Sequence, residues 1–400
     1  MIFKKFVVII VRQNLKKGER MLKKLSLAAI IAASGVSFAS ATPLTEAIKN
    51  VDLSGYLRLR LYNHSKYVGY KGTRWRTTAL FKFVVPVSEE LKLVSSYAFD
   101  WNIFGRSFAT SGDSKVNNVK FFLNYSNNGL TALVGKIPVP TPVTATGVGE
   151  ATAAGAIALY KVNDNITVAA AGLDDLVGTD QYSPNAKNTL AAAAMFNQDA
   201  LKAEAWYFYV KDAIDSDVVL RATYSMDNIN LHADFATASL DDKKIATGAT
   251  IGNIGANNKL NKTQTYFNVS AKYAMDNICA KIGYAQTGKD GGIVNLDADS
   301  PLAAVASTQQ IYGITDHADT NMVYGKVGYK VDPKTSVYGA ATFINDTNSK
   351  KVNDFTLGVK YKYTKKLGIH VYYDILNADK NNAFGAADNN EFRFEAKYSF

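Results

Sequence analysis

Glu391-Phe392-Arg393-Phe394-Glu395-Ala396-Lys397-Tyr398-Ser399-Phe400 closes the chain, and its reading decides the fold. Phe392, Phe394, Ala396, Tyr398 and Phe400 alternate with Glu391, Arg393, Glu395, Lys397 and Ser399. Successive strand side chains point to opposite faces, so the segment predicts a strand with one apolar, aromatic face and one ionic face. The same alternation recurs far upstream. Leu53, Gly55, Leu57, Leu59 and Leu61 oppose Ser54, Tyr56, Arg58, Arg60 and Tyr62, and Trp75, Thr77, Ala79, Phe81 and Phe83 oppose Arg74, Arg76, Thr78 and Lys82. Val119, Phe121, Leu123 and Tyr125 oppose Asn118, Lys120 and Asn124, while Phe355, Leu357, Val359, Tyr361 and Tyr363 oppose Thr356, Lys360 and Lys362.

Marking each such segment predicts eighteen strands, near 53–62, 72–85, 91–101, 118–126, 129–137, 154–161, 166–173, 189–196, 201–210, 217–225, 229–238, 263–273, 278–287, 321–330, 335–344, 354–363, 367–376 and 391–400. The Ala-rich middle, such as Leu190 to Met195, alternates poorly, which leaves sixteen as the alternative count. Odd-numbered connections are longer, from six residues at 211–216 upward, and even-numbered ones are short and rich in Asn and Asp, the residues of tight turns. All eight prolines fall outside the marked strands. A soluble β-sandwich would alternate similarly. The length, the single continuous pattern, an export segment and the terminal Phe400 favour an all-β chain folded as a transmembrane antiparallel β-barrel, with long external loops and short periplasmic turns.

The export segment is read from Met21. Met21-Leu22-Lys23-Lys24, an apolar stretch from Leu25 to Phe38 and Ala39-Ser40-Ala41 form the three parts of a secretory signal peptide. Residues 1–20 place a second basic and apolar stretch ahead of it, and are expected to be an upstream extension from a mis-chosen start codon. The expected organisation is thus extension 1–20, signal peptide 21–41, periplasmic segment 42–52 and barrel 53–400. Charge follows this division. The chain has 45 Lys and Arg against 35 Asp and Glu, a formal +10. Residues 1–41 hold eight of the bases and one acid, so the remainder has 37 and 34, a net +3. That removes the charge argument for nucleic-acid binding. The lone Cys279 excludes an internal disulfide and reads as an inert wall residue.

Ala39 to Arg60, Gly135-Lys136-Ile137-Pro138-Val139-Pro140-Thr141-Pro142, Ala154 to Tyr160 and the closing Phe400 resemble the Campylobacter-type major outer membrane protein family of porins. The resemblance implies an 18-stranded trimeric porin with a loop folded into the pore, similar in kind to substrate-channel porins of the OprD type. Residues 143–153 depart from a charged pore-narrowing loop, with Glu150 their only ionised group.

In a membrane barrel the apolar face meets lipid and the polar face lines the lumen. Arg58, Arg60, Arg74, Arg76, Lys82 and Lys120 then form a basic ladder along the first four strands, suited to attracting anions; pairing with lumenal carboxylates is the alternative. The three prolines of the 138–153 loop suit a shape held inside the barrel, and Lys136 and Glu150 are the expected opposed charges of a constriction. Phe392, Phe394, Tyr398 and Phe400 are the expected terminal signal for the barrel-assembly machinery. Tyr62, Trp101, Tyr125, Tyr363 and Phe400 are expected in aromatic girdles. Asp290, Asp297, Asp299, Asp316 and Asp319 are expected as solvated charge on an external loop, with calcium as a minor alternative and no cofactor otherwise.

Catalytic motifs are absent from the sequence. Only His64, His232, His317 and His370 occur, and His232 with Asp234 on one strand face suggests a lumenal hydrogen bond rather than a catalytic site. The expected function is an outer-membrane porin for passive diffusion of ions and small hydrophilic solutes, embedded in lipid and lipopolysaccharide. A substrate-specific channel and a non-conducting adhesin or structural barrel are the alternatives.

Overall fold

The computed structural model describes residues 50–67, 70–104, 116–145, 151–177, 188–242, 262–292, 294–297 and 299–400. The extension, the signal peptide, most of the 42–52 segment and Glu150 lie outside these residues, as do the side chains of Asp100 and Trp101. Each predicted strand has a counterpart. The first six are β1 (Asp52–Tyr67), β2 (Tyr70–Pro86), β3 (Leu91–Phe104), β4 (Val116–Asn127), β5 (Leu130–Pro138) and β6 (Thr152–Lys161). Next come β7 (Ile166–Val177), β8 (Asn188–Gln198), β9 (Leu201–Val210), β10 (Ile214–Met226), β11 (Ile229–Leu240) and β12 (Thr263–Met275). The last six are β13 (Ile278–Thr287), β14 (Asn321–Lys330), β15 (Thr335–Asn345), β16 (Lys351–Lys362), β17 (Leu367–Ala378) and β18 (Asn389–Ser399). Sequential strands pair antiparallel and β18 pairs with β1, so one 18-stranded sheet closes on itself. Closure leaves no open sheet edge, the condition for placing a sheet in lipid.

Short turns are built by local chemistry. Asn128 and Gly129 take φ of 47° and 80° between β4 and β5, and Asp199, Asp227 and Asp276 take φ of 44–49° at the other tight reversals. Asn and Asp tolerate this left-handed backbone, and primed turns match strand twist. Where the turn is longer, a side chain substitutes for the ladder: Asp332 Oδ1 accepts the N–H groups of Lys334 and Thr335 at 2.7 and 2.9 Å.

The largest departure from expectation is the β13–β14 loop, residues 288–320. Of its aspartates, Asp290, Asp299 and Asp319 are exposed as expected and Asp297 is buried, but the loop is not external throughout: Leu296, Leu302 and Ile314 are at most 1 % exposed and Asn295, Ser300 and Thr320 are fully buried. The loop turns inward because Val294, Leu296, Leu302, Val305, Ile311 and Ile314 need an apolar surface, and the inner wall supplies one. Ala169, Ala191, Ala193, Trp206, Phe208 and Val219 belong to the same buried cluster, with Val139 and Val143 of the β5–β6 loop. This explains the weak alternation of the middle strands. Their inner face packs against folded loops rather than water, so both faces are apolar.

Candidate functional site

Contacts to the inward loop define which face lines the lumen. Asp354 on β16 and Asp374 on β17 accept from it, Lys281 on β13 donates to it, and Thr342 on β15 hydrogen bonds Thr308 at 2.8 Å. Directly paired residues of adjacent strands share a face, so the pairing register carries this assignment around the barrel. Phe121, Leu190, Tyr207, Phe235, Phe267, Val327 and Leu357 are on the opposite, outward face, all more than 40 % exposed.

By that register the basic residues of β1 and β2 are lumenal. Arg60 stands opposite Arg76 and, across the closure, opposite Glu395; Arg58 stands opposite Thr78 and Lys397. Lys82 is opposite Ser96, which in turn is opposite Lys120. Both Arg58 and Arg60 are buried and reach Thr78 Oγ1, at 3.4 and 3.5 Å. The ladder is longer than its sequence-derived set. Barrel closure adds Arg393 and Lys397 of β18, whose alternation was legible but whose neighbour was not. Arg393 donates to Tyr372 Oη at 3.1 Å and Glu395 at 3.2 Å, and Tyr372 donates to Glu391 at 2.7 Å.

Tyr62 is the organising side chain of this wall, and its assignment to an aromatic girdle is corrected. It is 8 % exposed and sits inside, with the guanidinium carbons of Arg393, Arg74 and Arg60 at 4.7, 5.2 and 5.6 Å from its ring centroid. The ring face attracts cations and holds three of them in one cluster. Tyr125 shares the outward face of β4 with the exposed Phe121 and Leu123, and Tyr363 is 57 % exposed.

Lys136 also differs from expectation. It stands opposite Phe121 and Ala154, both exposed on the outward face, while its neighbour Ile137 is the fully buried residue beneath the β5–β6 loop. A one-residue offset reverses a strand side chain, so Lys136 is on the wrong face for a constriction.

Two loops narrow the lumen. The described part of the β5–β6 loop, residues 139–145 and 151, is buried apart from Pro140, with Thr144 hydrogen-bonded to Val139 O and Thr141. Against it lies the β13–β14 loop, through Leu296 N–H to Val143 O at 2.7 Å and Leu302 N–H to Pro142 O at 3.0 Å. Further along, Gln310 donates through Nε2 to Asp374 Oδ1 at 2.6 Å and accepts from Asn389 Nδ2 at 2.6 Å. The loop therefore bridges the lumen from the β5–β6 loop to β16–β18. Its Tyr312, 45 % exposed, feels the arginine wall: surrounding protein pushes its phenol up to about 12, while the Arg393 guanidinium pulls it down.

A second polar network stiffens the wall at β10–β14. Arg221 Nε donates to Asp234 Oδ1 at 2.7 Å, His232 Nε2 lies 2.9 Å from Asp234 Oδ2, and Asn268 Nδ2 donates to the same oxygen at 2.9 Å. Tyr324 then donates to Asn268 Oδ1 at 2.8 Å. The His232–Asp234 pairing read from the sequence is present, within a wall network that fills the carboxylate's acceptor sites. Among the described residues, no group of three or more His, Cys, Asp or Glu side chains is placed to hold a metal ion.

A closed barrel with an apolar exterior and a charged lumen narrowed by two inward loops defines an outer-membrane channel for small solutes. Solved structures share the fold: Pseudomonas aeruginosa OccK3 (OpdO) superposes with a TM-score of 0.69 at 16 % identity, over 89 % of this chain and 97 % of that chain. P. aeruginosa OpdK with vanillate gives 0.68 at 12 % identity, over 88 % and 99 %, and P. aeruginosa OprD gives 0.68 at 15 %, over 91 % and 97 %. No curated protein sequence matches the chain. The chain belongs to the Campylobacter major outer membrane protein family, whose model matches residues 20–400.

Proposed function

We propose that the protein is a general diffusion porin, passing ions and small hydrophilic solutes passively, with a bias set by its basic wall. The observation that carries this reading is the arginine-rich face across β18, β1 and β2, where Arg60, Arg74 and Arg393 gather around Tyr62 beside the carboxylates of Glu391 and Glu395 and face the loop-narrowed lumen. Fixed charges lining an aqueous passage raise the local concentration of counter-ions and repel co-ions. Export through a signal peptide at 21–41, assembly as a homotrimer in lipid and lipopolysaccharide, and insertion by the barrel-assembly machinery complete the proposal.

Planar-bilayer recordings in a salt gradient test it. Reversal potentials are expected to favour anions, and Arg58→Gln with Arg74→Gln is expected to move them toward zero. Strong cation selectivity of the unaltered channel would overturn the assignment of the ladder. A substrate-specific channel is the second reading, favoured by the tethering of the β13–β14 loop to opposite walls; saturable block by one solute would select it.

A further inference from the structure

A separate lumenal recess lies below the β13–β14 loop, toward the short-turn rim. It has a volume of about 770 Å³ and is lined by Lys272, Lys281, Lys326, Lys330 and Lys360, with Pro301, Ala304 and Val305 of the loop above it. Cys279 and the Asp276–Asn277 turn mark its lower end. The recess is distinct from the arginine wall, which belongs to β18, β1 and β2.

Its charge arrangement is unusual for a sheet. Lys272 is directly opposite Lys281, and Lys281 is directly opposite Lys326, so three ammonium-bearing residues occupy one row across β12, β13 and β14. Neighbouring strands lie about 4.8 Å apart, and like charges directly opposite one another are destabilising. Acidic partners would offset this, yet among the described residues none of the five lysines forms an ion pair; the nearby Asp234 is taken by Arg221 and His232. Orientation comes instead from rings and a loop carbonyl. Lys281 Nζ is 4.9 Å from the Tyr324 centroid and donates to Val305 O at 3.0 Å, while Lys326 Nζ is 4.0 Å and Lys360 Nζ 5.8 Å from the Tyr338 centroid. Lys281, Lys326 and Lys360 are thus held around a concave volume without an ion pair, and Asp276, at its lower end, is the one acid against five lysines in the lining.

We propose that this recess binds a small polyvalent oxyanion, of phosphate-ester or polycarboxylate chemistry, on the short-turn side of the constriction. A monovalent ion would leave most of the positive charge unbalanced. Several oxygens on one solute can each accept from a different lysine, and flexible ammonium groups suit tetrahedral or branched anions approached from several directions. The site rests on the lumenal assignment of these strands but not on conduction, so binding and current are measured separately.

The test uses the purified full chain with sodium pyrophosphate and sodium citrate as probes, at constant ionic strength, by titration calorimetry in detergent and by current block in planar bilayers. Saturable binding of either probe is expected, with block stronger from the short-turn side; pyrophosphate alone would identify phosphoryl chemistry, citrate alone polycarboxylate chemistry. Lys281→Gln with Lys326→Gln is expected to weaken binding roughly tenfold or more, and Lys360→Gln alone by less. Lys161→Gln, at the exposed end of β6 with its own partner Asp164, is the control expected to leave binding unchanged. Heat-modified electrophoretic mobility verifies folding, and Lys360→Gln serves if the double variant does not fold. Absence of binding by both probes at low ionic strength, or binding indifferent to the lysine substitutions, would overturn the proposal. Binding in a channel that carries no current would support the site and refute the porin reading alone.

Discussion

Asp354 Oδ2 accepts the backbone N–H of Ile311 at 2.9 Å, so a carboxylate on β16 holds a loop that leaves the wall at β13. The same oxygen accepts Gln310 N–H at 3.1 Å, and Asp374 accepts Gln309 N–H at 3.3 Å and Gln310 Nε2 at 2.6 Å. Backbone donors that enter a lumen without ladder partners need acceptors, and two carboxylates supply them. A hydrogen bond contributes about 0.5–1.5 kcal/mol net, and four converge here, so Asp354→Ala combined with Asp374→Ala is expected to free this end of the loop. Single-channel conductance should rise and become noisier, and added protease should cut the freed loop. Unchanged conductance would show that the loop is held by its contacts with Pro142 and Val143 instead.

Glycine provides the seats for the wall tyrosines. Gly283 is directly opposite Tyr324 and Gly358 directly opposite Tyr338, and a Cβ at these positions would lie 2.2 and 2.4 Å from the respective rings. Gly283→Ala should push Tyr324 off Asn268 and disturb the support of Lys281. A destabilisation of about 1–3 kcal/mol is expected from the overpacking, visible as a lower temperature of heat modification. Gly368→Ala, with open space at its Cβ, should change little.

Loop docking at the long-loop rim depends on a neutral histidine. His317 is 4 % exposed, its ring centroid is 3.7 Å from that of Phe384, and Asp316 lies 3.2 Å from its Nε2. Burial lowers its affinity for a proton below the ordinary value of 6.5, with Asp316 and Asp346 acting in the opposite sense. A detached loop therefore takes up the proton more readily than a docked one. Docking contributes fully above about pH 6.5 and weakens as the pH falls from there through the depressed value. Acidification on the long-loop side should increase current fluctuations over that window, and His317→Phe should abolish the dependence. Equal pH responses in both channels would count against His317 as the sensor.

The barrel is clasped at its last residue. Phe400 N–H donates to Gly55 O at 3.2 Å and Gly55 N–H returns a bond to Phe400 O at 3.1 Å, while the Phe400 ring lies 5.8 Å from Phe81. A Cβ at Gly55 would stand 1.9 Å from Leu80 O. Deleting Phe400 should reduce the yield of folded barrel in the outer membrane. Gly55→Ala should do the same through steric conflict at the closure. Normal assembly of both would show that β18 alone is a sufficient terminal element.

Strand number and the placement of Arg58, Arg60, Arg74 and Arg76 on one strand face were legible because alternation is local: period-2 chemistry depends only on a residue's neighbours in sequence. The strands of the Ala-rich middle were less sharply marked for the same reason. Ala191 and Ala193 face loops rather than water, and no local pattern announces a distant covering segment. Tyr62 was misplaced because residue type suggested a girdle, although its alternation with Leu61 already placed it on the arginine face. Lys136 failed by one position, where its proximity to the loop prolines outweighed strand parity.

The sequence by itself determined a closed-barrel class of architecture, its polar and apolar faces, and the tight turns of one rim. These follow from residue-scale preferences for strand and turn. The β1–β2 and β9–β10 connections, expected to be longer, are equally short because strand pairing extends into them. Only the tertiary structure decided which residues meet across the lumen. Closure brought Arg393 beside Tyr62, the inward β13–β14 loop tied Gln310 to Asp374, and the pairing of β12, β13 and β14 aligned Lys272, Lys281 and Lys326. Those meetings depend on register and on the loop's search for apolar cover, both long-range, and both invisible to a pattern that compares each residue with the next.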